Sequence, residues 1–600
     1  MTETAEITQR QHKDSTPLAT VERIRSILRE NGIRTELHWN QSGVPYCYSN
    51  RLTIPGTTFQ SNGKGLTEDL ALASAYGELI ERLQVGFIYG PTSLKDGDFA
   101  IDDPKYDLIP AKDLLETNRD WYQAMANVLL DSTGETTTPE SLLSQCSTDN
   151  GLVSVTPYFD LTTSKKVSFP TLLRKRIYGS NGCAAGNTPE EALVQAISEV
   201  VERNHQIRIV NEGLALPEIP NEILKKYVVS YKIIDFVRNN GYKVSIKDAS
   251  LNTDFPVVCA CIIDRRTGRY HTHFGAHPVF EIALERALTE SFQGRNIEKI
   301  AKNQAFSKKT TKKFSIGAFY DELRRSSGNK LPGFFVDEST FTFDPNVGTS
   351  GDNRQILRFC IDHFASRGLS VLARDASCLG FPTYQVIVPG YSECYINRLS
   401  TKSDDQRYAP YAIKVLRDPS KASIPDMMGL LMHLDQLKAV DSKNSDIHSF
   451  IMLAKIPSTA TAGQQNFLKA ASLGFVYHAL GRYQQAADCL DGMLPQARDR
   501  DLEYLIGLKR YLTLLSEGYP KEYAMKVLNY FHDPLTADKL ARCANPFGDY
   551  ILHCDKSCPE TCPLFSTCCM KTVDSLAAML DEKLQQLSFD DVSTYLSALQ

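Results

Sequence analysis

Glu78, Glu199 and Glu290 hold the same place in three similar stretches of the chain. Seven residues before each stands an alanine (Ala71, Ala192, Ala283), six before each a leucine (Leu72, Leu193, Leu284), and three before each another alanine (Ala75, Ala196, Ala287). Glycines precede all three: Gly63 and Gly65, Gly182 and Gly186, and Gly275. On a helix turning about 100° per residue, Ser74, Glu78 and Glu81 share one stripe. Glu191, Gln195, Glu199 and Glu202 share a second stripe, and Arg286, Glu290 and Gln293 a third. The apolar residues lie opposite: Leu72, Tyr76, Leu79 and Leu83; Leu193, Ile197 and Val200; Leu284, Leu288 and Phe292. One such stripe reads as a solvated face, with Glu78–Arg82 and Glu199–Arg203 as ordinary i,i+4 pairs contributing ~0.3–0.5 kcal/mol each. Three stripes in one register favour a common pocket. Carboxylates gathered there repel one another unless cations sit among them. Hard oxygen ligands suit Mg²⁺, usually shared with nucleotide phosphates. Arg286 and Lys64 would then face phosphate oxygens. No Walker A sequence is present, so the expected nucleotide site is not a P-loop.

Positioning such stripes requires helices set behind glycine turns. Thr188, Pro189 and Glu191 form an N-cap, N1 and N3 signal for the second helix. Helical patterns at 17–31 and 67–88 alternate with β-like runs at 152–158, 255–263 and 383–389. The expected fold class is therefore α/β (α+β), built on repeated strand–glycine loop–helix units. At 600 residues the chain is too long for one core. The expected divisions are a polar tail (1–19), a core (20–400), a linker (401–425), a helical domain (426–542) and a Cys-rich segment (543–600). With 66 Lys+Arg against 71 Asp+Glu, a net charge of −5 argues against a generic nucleic-acid binder. The basic run 302–313 reads as a solvated loop. No apolar run is long enough to span a membrane, and the start lacks a signal-peptide core, so the expected setting is cytoplasmic, with no membrane partner.

The segments SNGKGLTEDLALASAYGELIER (61–82), SNGCAAGNTPEEALVQAISEVVER (180–203), FGAHPVFEIALERALTESFQGR (274–295) and PGYSECY (389–395) closely resemble the YcaO family. The likeness covers about residues 20–400. It implies ATP and Mg²⁺ bound between helices, with Glu78, Glu81, Glu199, Glu202 and Glu290 as Mg²⁺ ligands. It implies Ser74, Asn187, Glu191, Arg203 and Arg286 as ATP contacts, with Lys64 a weaker candidate. Ala184 stands where some members carry serine, so one nucleotide hydrogen bond is expected to be missing or replaced. The implied activity is ATP-dependent phosphorylation of a backbone-amide oxygen in a peptide or protein. No protein nucleophile is required, so no catalytic residue is assigned. Azoline-forming members often end in a PxPxP tail, whereas this chain ends STYLSALQ. The helical extension and the LPEIP segment (216–220) resemble stand-alone members. Those are implicated as accessory factors in ribosomal-protein methylthiolation beside a radical SAM methylthiotransferase. The resemblance thus implies support of sulfur insertion, such as thioamidation or methylthiolation, with a sulfur donor or that enzyme as partner, and a homodimer. The alternatives are an azoline-forming cyclodehydratase or a non-catalytic scaffold.

Residues 467–494 resemble a tetratricopeptide unit through Leu473-Gly474, Tyr477, Gly481, Tyr483 and Ala486, and 502–530 suggests another. A generic helical hairpin is the simpler reading, and a docking surface the functional one. Cys554, Cys558, Cys562, Cys568 and Cys569 are dense enough to read as ligands of Zn²⁺ or an iron–sulfur cluster. Many stand-alone YcaO members lack this cluster, so the resemblance does not assign the metal. The nine cysteines before Cys543 read as mostly buried small hydrophobes. A metal or redox sensor built on the cluster is the remaining reading.

Overall fold

A computed structural model describes residues 12–86, 107–129, 137–300, 330–394, 409–440 and 462–551, except 56, 58, 148, 149, 331, 340 and 418, with further positions between 576 and 596. Among the described residues the strands form three sheets, and every pairing is antiparallel. The first joins β1 (Glu36–Asn40), β2 (Tyr48–Thr53) and β3 (Gln60–Gly65) in sequence order. The second joins β4 (Leu108–Pro110), β5 (Leu152–Asp160), β6 (Lys165–Pro170), β7 (Cys183–Ala185), β11 (Leu372–Asp375) and β12 (Thr383–Ile387). Its order is β4-β5-β11-β12-β7, with β6 paired to β5. The third runs β10-β9-β8, from β8 (Tyr242–Asp248), β9 (Val257–Asp264) and β10 (Tyr270–Ala276). The expected runs at 152–158, 255–263 and 383–389 correspond to β5, β9 and β12. Antiparallel pairing throughout makes this an α+β arrangement.

Four helices matter below: α1 (Pro17–Glu30), α2 (Glu68–Gln84), α3 (Pro189–Glu212) and α4 (Phe280–Phe292). β3 leads into α2, β7 into α3 and β10 into α4, so the threefold repeat is structural. Its alanines and glycines have one physical cause. A Cβ on Gly63 would sit 2.0 Å from the Ala71 carbonyl oxygen and 2.7 Å from the Ala75 Cβ. One on Gly275 would sit 2.5 Å from the Ala283 oxygen and 2.4 Å from the Ala287 nitrogen. Strand and helix backbones touch at those points, which admits only glycine facing alanine. In the second unit Ala184 fills the corresponding place, and Gly186, like Gly65 in the first, lies against the helix start, a Cβ on it being 2.5 Å from the Ala192 nitrogen. The expected apolar faces are the buried ones: Tyr76, Leu79 and Leu83; Leu193, Ile197 and Val200; Leu284, Leu288 and Phe292. Leu72 is partly buried.

Among the described residues, everything from Ala409 to Tyr550 with regular structure is helical. The helix Ala409–Arg417 falls within the stretch expected as a linker, and Ala412, Val415 and Leu416 join the helical core. Gly474 makes room for the Phe547 ring, whose nearest atom lies 2.3 Å from where a Cβ would stand. Leu576 and Leu580 pack with α1 and α2. No helix among the described residues is long and apolar enough to cross a membrane. Of the nine cysteines before Cys543, seven are buried and two are partly buried, as expected.

Candidate functional site

Two of the three carboxylate-bearing helices, α2 and α3, begin with a side-chain cap, whereas α4 follows Val279 without one. Thr67 caps α2 by accepting from the Leu70 nitrogen at 3.2 Å. Thr188 caps α3 by accepting from the Glu191 nitrogen at 3.2 Å, as the sequence predicts. The Glu191 side chain does not close a capping box. One of its oxygens meets Lys13 Nζ at 3.0 Å; the other accepts from the Asp14 backbone nitrogen at 3.1 Å and from Asn187 Nδ2 at 3.0 Å. Burial pushes its carboxyl up, but Lys13 and these donors outweigh burial and hold it below the usual carboxylate range. Asn187 Oδ1 accepts from the Thr20 hydroxyl at 2.8 Å, and the Asn187 carbonyl accepts from Arg23 at 3.2 Å.

Lys13, Asp14 and Thr20 are the residues sequence reasoning missed. Residues 1–19 read as a polar tail, yet Lys13 and Asp14 lie on the second helix's start. The Thr188 hydroxyl donates to the Asp14 carboxylate, and Asn353 Nδ2 donates to the His12 carbonyl at 2.7 Å. A buried carboxylate recruits a cation and an amide from far along the chain. No local pattern in a polar stretch signals that.

The three carboxylate stripes meet. Glu78 Oε2 accepts from the Asn62 nitrogen of β3 at 3.1 Å, and Glu78 Oε1 pairs with Arg82 at 2.7 Å. Glu199 pairs with Arg203 at 3.8 Å. Glu202 Oε2 accepts from the Ala276 nitrogen of β10 at 3.2 Å, tying the second unit to the third. Arg286 of α4 donates to Gln195 Oε1 of α3. Lys64 of β3 pairs with Glu290 of α4 and also feels Glu202, Glu78 and Glu199. Burial, then the charge of Arg286, pushes the Lys64 ammonium down to about 8 against those carboxylates. Burial raises the Glu81 carboxyl well above its usual range; Arg82 opposes, and Glu199 and Glu78 add to the rise. Burial likewise raises Glu199, with Glu202 adding to it. Glu78, Glu199 and Glu290 are only 25%, 24% and 18% exposed, so this is not a freely solvated face. Ser74 is half-buried on the Glu78 stripe.

The carboxylates converge with cations among them. Among the described residues, no group of three or more His, Cys, Asp or Glu side chains is gathered so as to hold a metal ion by itself. Lys64, Arg82 and Arg203 sit beside them and offset their mutual repulsion. The donor set still fits a hard cation completed by other ligands: Mg²⁺ keeps several waters and takes one or two carboxylates plus phosphate oxygens. Arg286 suits the phosphates, because its buried Nε meets no hydrogen-bond partner among the described residues. Cys554, Cys558, Cys562, Cys568 and Cys569 lie outside the described residues, as does the basic run 302–313.

The late segment 389–394 braces this site. Asn181 Nδ2 donates to the Ser392 carbonyl and Asn204 Nδ2, beside Arg203, to the Tyr391 carbonyl, both at 2.8 Å. Buried Glu393 accepts from the Tyr178 hydroxyl at 2.6 Å and the Gly390 nitrogen at 2.8 Å. Burial raises its carboxyl to about 7 despite those donors.

A family model described as YcaO cyclodehydratase, ATP- and Mg²⁺-binding, matches residues 62–392, more than half of the chain. The chain belongs to the YcaO family. Its YcaO region is 28% identical over 350 residues to the ribosomal protein S12 methylthiotransferase accessory factor YcaO of Escherichia coli, covering 56% of this chain and 58% of that one. An uncharacterized protein of Haemophilus influenzae is 35% identical over 394 residues, covering 62% and 61%. The chain thus spans about three fifths of the length of the curated relatives it matches. Among solved structures, a heterocyclase in complex with substrate and cofactor overlays with a TM-score of 0.47 at 20% identity, covering 64% of this chain and 54% of that one. YcaO from Methanopyrus kandleri bound with AMPPCP and Mg²⁺ overlays with a TM-score of 0.41 at 22% identity, covering 64% and 93%.

Proposed function

We propose that the chain binds ATP with Mg²⁺ where α2, α3 and α4 meet, and uses it to activate a backbone amide of a peptide or protein for sulfur insertion. The observation carrying this reading is the meeting of Glu78, Glu199, Glu202 and Glu290 with Lys64 and Arg286, from three repeated units, within the region that matches the family. Glu78, Glu81, Glu199, Glu202 and Glu290 would hold Mg²⁺ together with phosphate oxygens. The ion supplies charge neutralisation for phosphoryl transfer. Ser74, Asn187, Glu191, Arg203, Arg286 and Lys64 would bind and orient the nucleotide. A thiol, hydroxyl or sulfide adds to the amide carbonyl, the carbonyl oxygen takes the γ-phosphoryl group, and phosphate then departs with that oxygen. These residues position and neutralise, so no protein nucleophile is needed.

The likeness to the E. coli accessory factor favours ribosomal-protein methylthiolation over azoline formation. The helical region, with its tetratricopeptide-like spacing, would then dock a methylthiotransferase or sulfur donor, and the chain would act as a homodimer. The cysteine cluster would hold Zn²⁺ or an iron–sulfur centre, which elemental analysis of anaerobically purified protein tests. The activity itself is tested by phosphate release from Mg-ATP. Release that rises when substrate and sulfide are added supports amide activation. Release indistinguishable from the protein-free reaction favours the scaffold.

A further inference from the structure

The three repeated glutamates do not have equivalent counter-ions. One turn after Glu78 stands Arg82, and one turn after Glu199 stands Arg203; both pair with their own glutamate. One turn after Glu290 the repeat carries Gly294. Arg286, one turn before Glu290, donates to Gln195 instead, and the counter-ion of Glu290 arrives from elsewhere: Lys64 reaches across from β3 in the first unit. The repeat also makes Lys64 singular. Its counterparts in the second and third units are Ala185 and Ala276, so one cation serves a position that occurs three times.

The two kinds of counter-ion differ in kind. Arg82 and Arg203 each project from the helix that carries their glutamate, a rigid fork one turn away. Lys64 is a compact charge on a flexible four-carbon stem from a different element. Its ammonium pairs with Glu290 and also feels the charges of Glu202, Glu78 and Glu199, with Arg286 opposing them. Four carboxylates draw a positive charge to this place, and burial and Arg286 oppose it.

We infer that Lys64 is the site's built-in, displaceable cation: it neutralises Glu290 in the nucleotide-free protein, and Mg²⁺ must move it off Glu290 in order to bind there. This rests on the proposed Mg²⁺ role of the glutamates. It adds that metal binding is a competition with a side chain of the protein, which keeps the site from loading Mg²⁺ without nucleotide. Once displaced, the ammonium is free to meet phosphate oxygens, so full occupancy favours metal and nucleotide arriving together.

The test uses the full chain without nucleotide and reads thermal unfolding against MgCl₂ concentration, for wild type, Lys64→Met and Lys64→Arg. Lys64→Met removes the competitor and leaves all five glutamates. It should unfold at a lower temperature without metal, because Glu290 loses its counter-ion. It should also bind Mg²⁺ about tenfold more tightly than wild type, a partly buried ion pair no longer having to be broken. Saturating Mg²⁺ should return its midpoint to the wild-type value or above. Lys64→Arg should keep the wild-type midpoint and weak Mg²⁺ response. A Lys64→Met protein that stays destabilised at every Mg²⁺ concentration, with unchanged apparent affinity, makes Lys64 an ordinary structural ion pair and overturns the inference alone. If none of the three proteins responds to Mg²⁺, with or without ATP, the metal reading of the site falls and the inference with it.

Discussion

Replacing Gly275 with alanine tests whether the repeat exists to bring strand and helix into backbone contact. The new Cβ would stand 2.4 Å from the Ala287 nitrogen and 2.5 Å from the Ala283 oxygen. Ordinary carbon contacts begin near ~3.5 Å, so β10 and α4 must part by about 1 Å. Both obstructing atoms are backbone, so no rotamer change relieves the clash. Overpacking of this kind costs ~1–3 kcal/mol, against a total stability of ~5–15 kcal/mol for an ordinary domain. The variant should therefore fold. α4 carries Arg286 and Glu290, and the residue after Gly275 supplies the amide that holds Glu202. The same displacement should weaken Mg-ATP binding by about tenfold, since misplacements near 1 Å are costly at ligand-positioning groups. Gly77→Ala is the control. Gly77 lies inside α2, and a Cβ there meets nothing within 4 Å. It should stabilise by ~0.5–1 kcal/mol through helix propensity alone. Urea denaturation followed by far-UV circular dichroism reads both. If Gly275→Ala matches wild type within about 0.5 kcal/mol, the close-approach explanation of the repeat is wrong.

Two further outcomes follow from two buried polar groups, Glu393 and Gln84. Glu393 titrates near 7 when folded against 4.5 as its ordinary value, so the folded state holds a proton that the unfolded chain releases. Stability is therefore greatest below the unfolded value, falls as pH rises from about 4.5 to about 7, and levels off above. The loss is roughly 3 kcal/mol, and Glu393→Gln, which keeps the acceptor for Tyr178 and Gly390, should remove that slope in denaturation between pH 5 and 7.5. Gln84, fully buried, accepts from the Leu379 nitrogen at 2.7 Å and donates to the Phe381 carbonyl at 2.8 Å and to Thr383. Gln84→Leu should cost ~2–3 kcal/mol by stranding the Leu379 amide, whereas an unchanged melting temperature would show that water replaces the side chain.

The register of the repeat, the α3 cap and the apolar faces were legible because each is local: it depends on residues within two turns of one another. The glutamate stripes were legible for the same reason. Which stripes face one another was not, because that depends on how three units separated by about a hundred residues pack. Arg286 on Gln195, Lys64 on Glu290 and Lys13 on Glu191 all cross between elements with no pattern linking the partners. Periodicity marks a carboxylate face; it does not say how closely the carboxylates approach.

The most direct measurement of the central claim is a calorimetric titration of Mg-ATP into wild type, Glu199→Gln and Glu202→Gln, with matched far-UV spectra. Wild type should bind only when Mg²⁺ is present. Each variant should keep its fold and lose at least about tenfold in affinity, the cost of one charge-assisted contact of ~1.5–3 kcal/mol. Mg-ATP affinity equal to wild type in both variants would contradict the assignment of this site to metal and nucleotide.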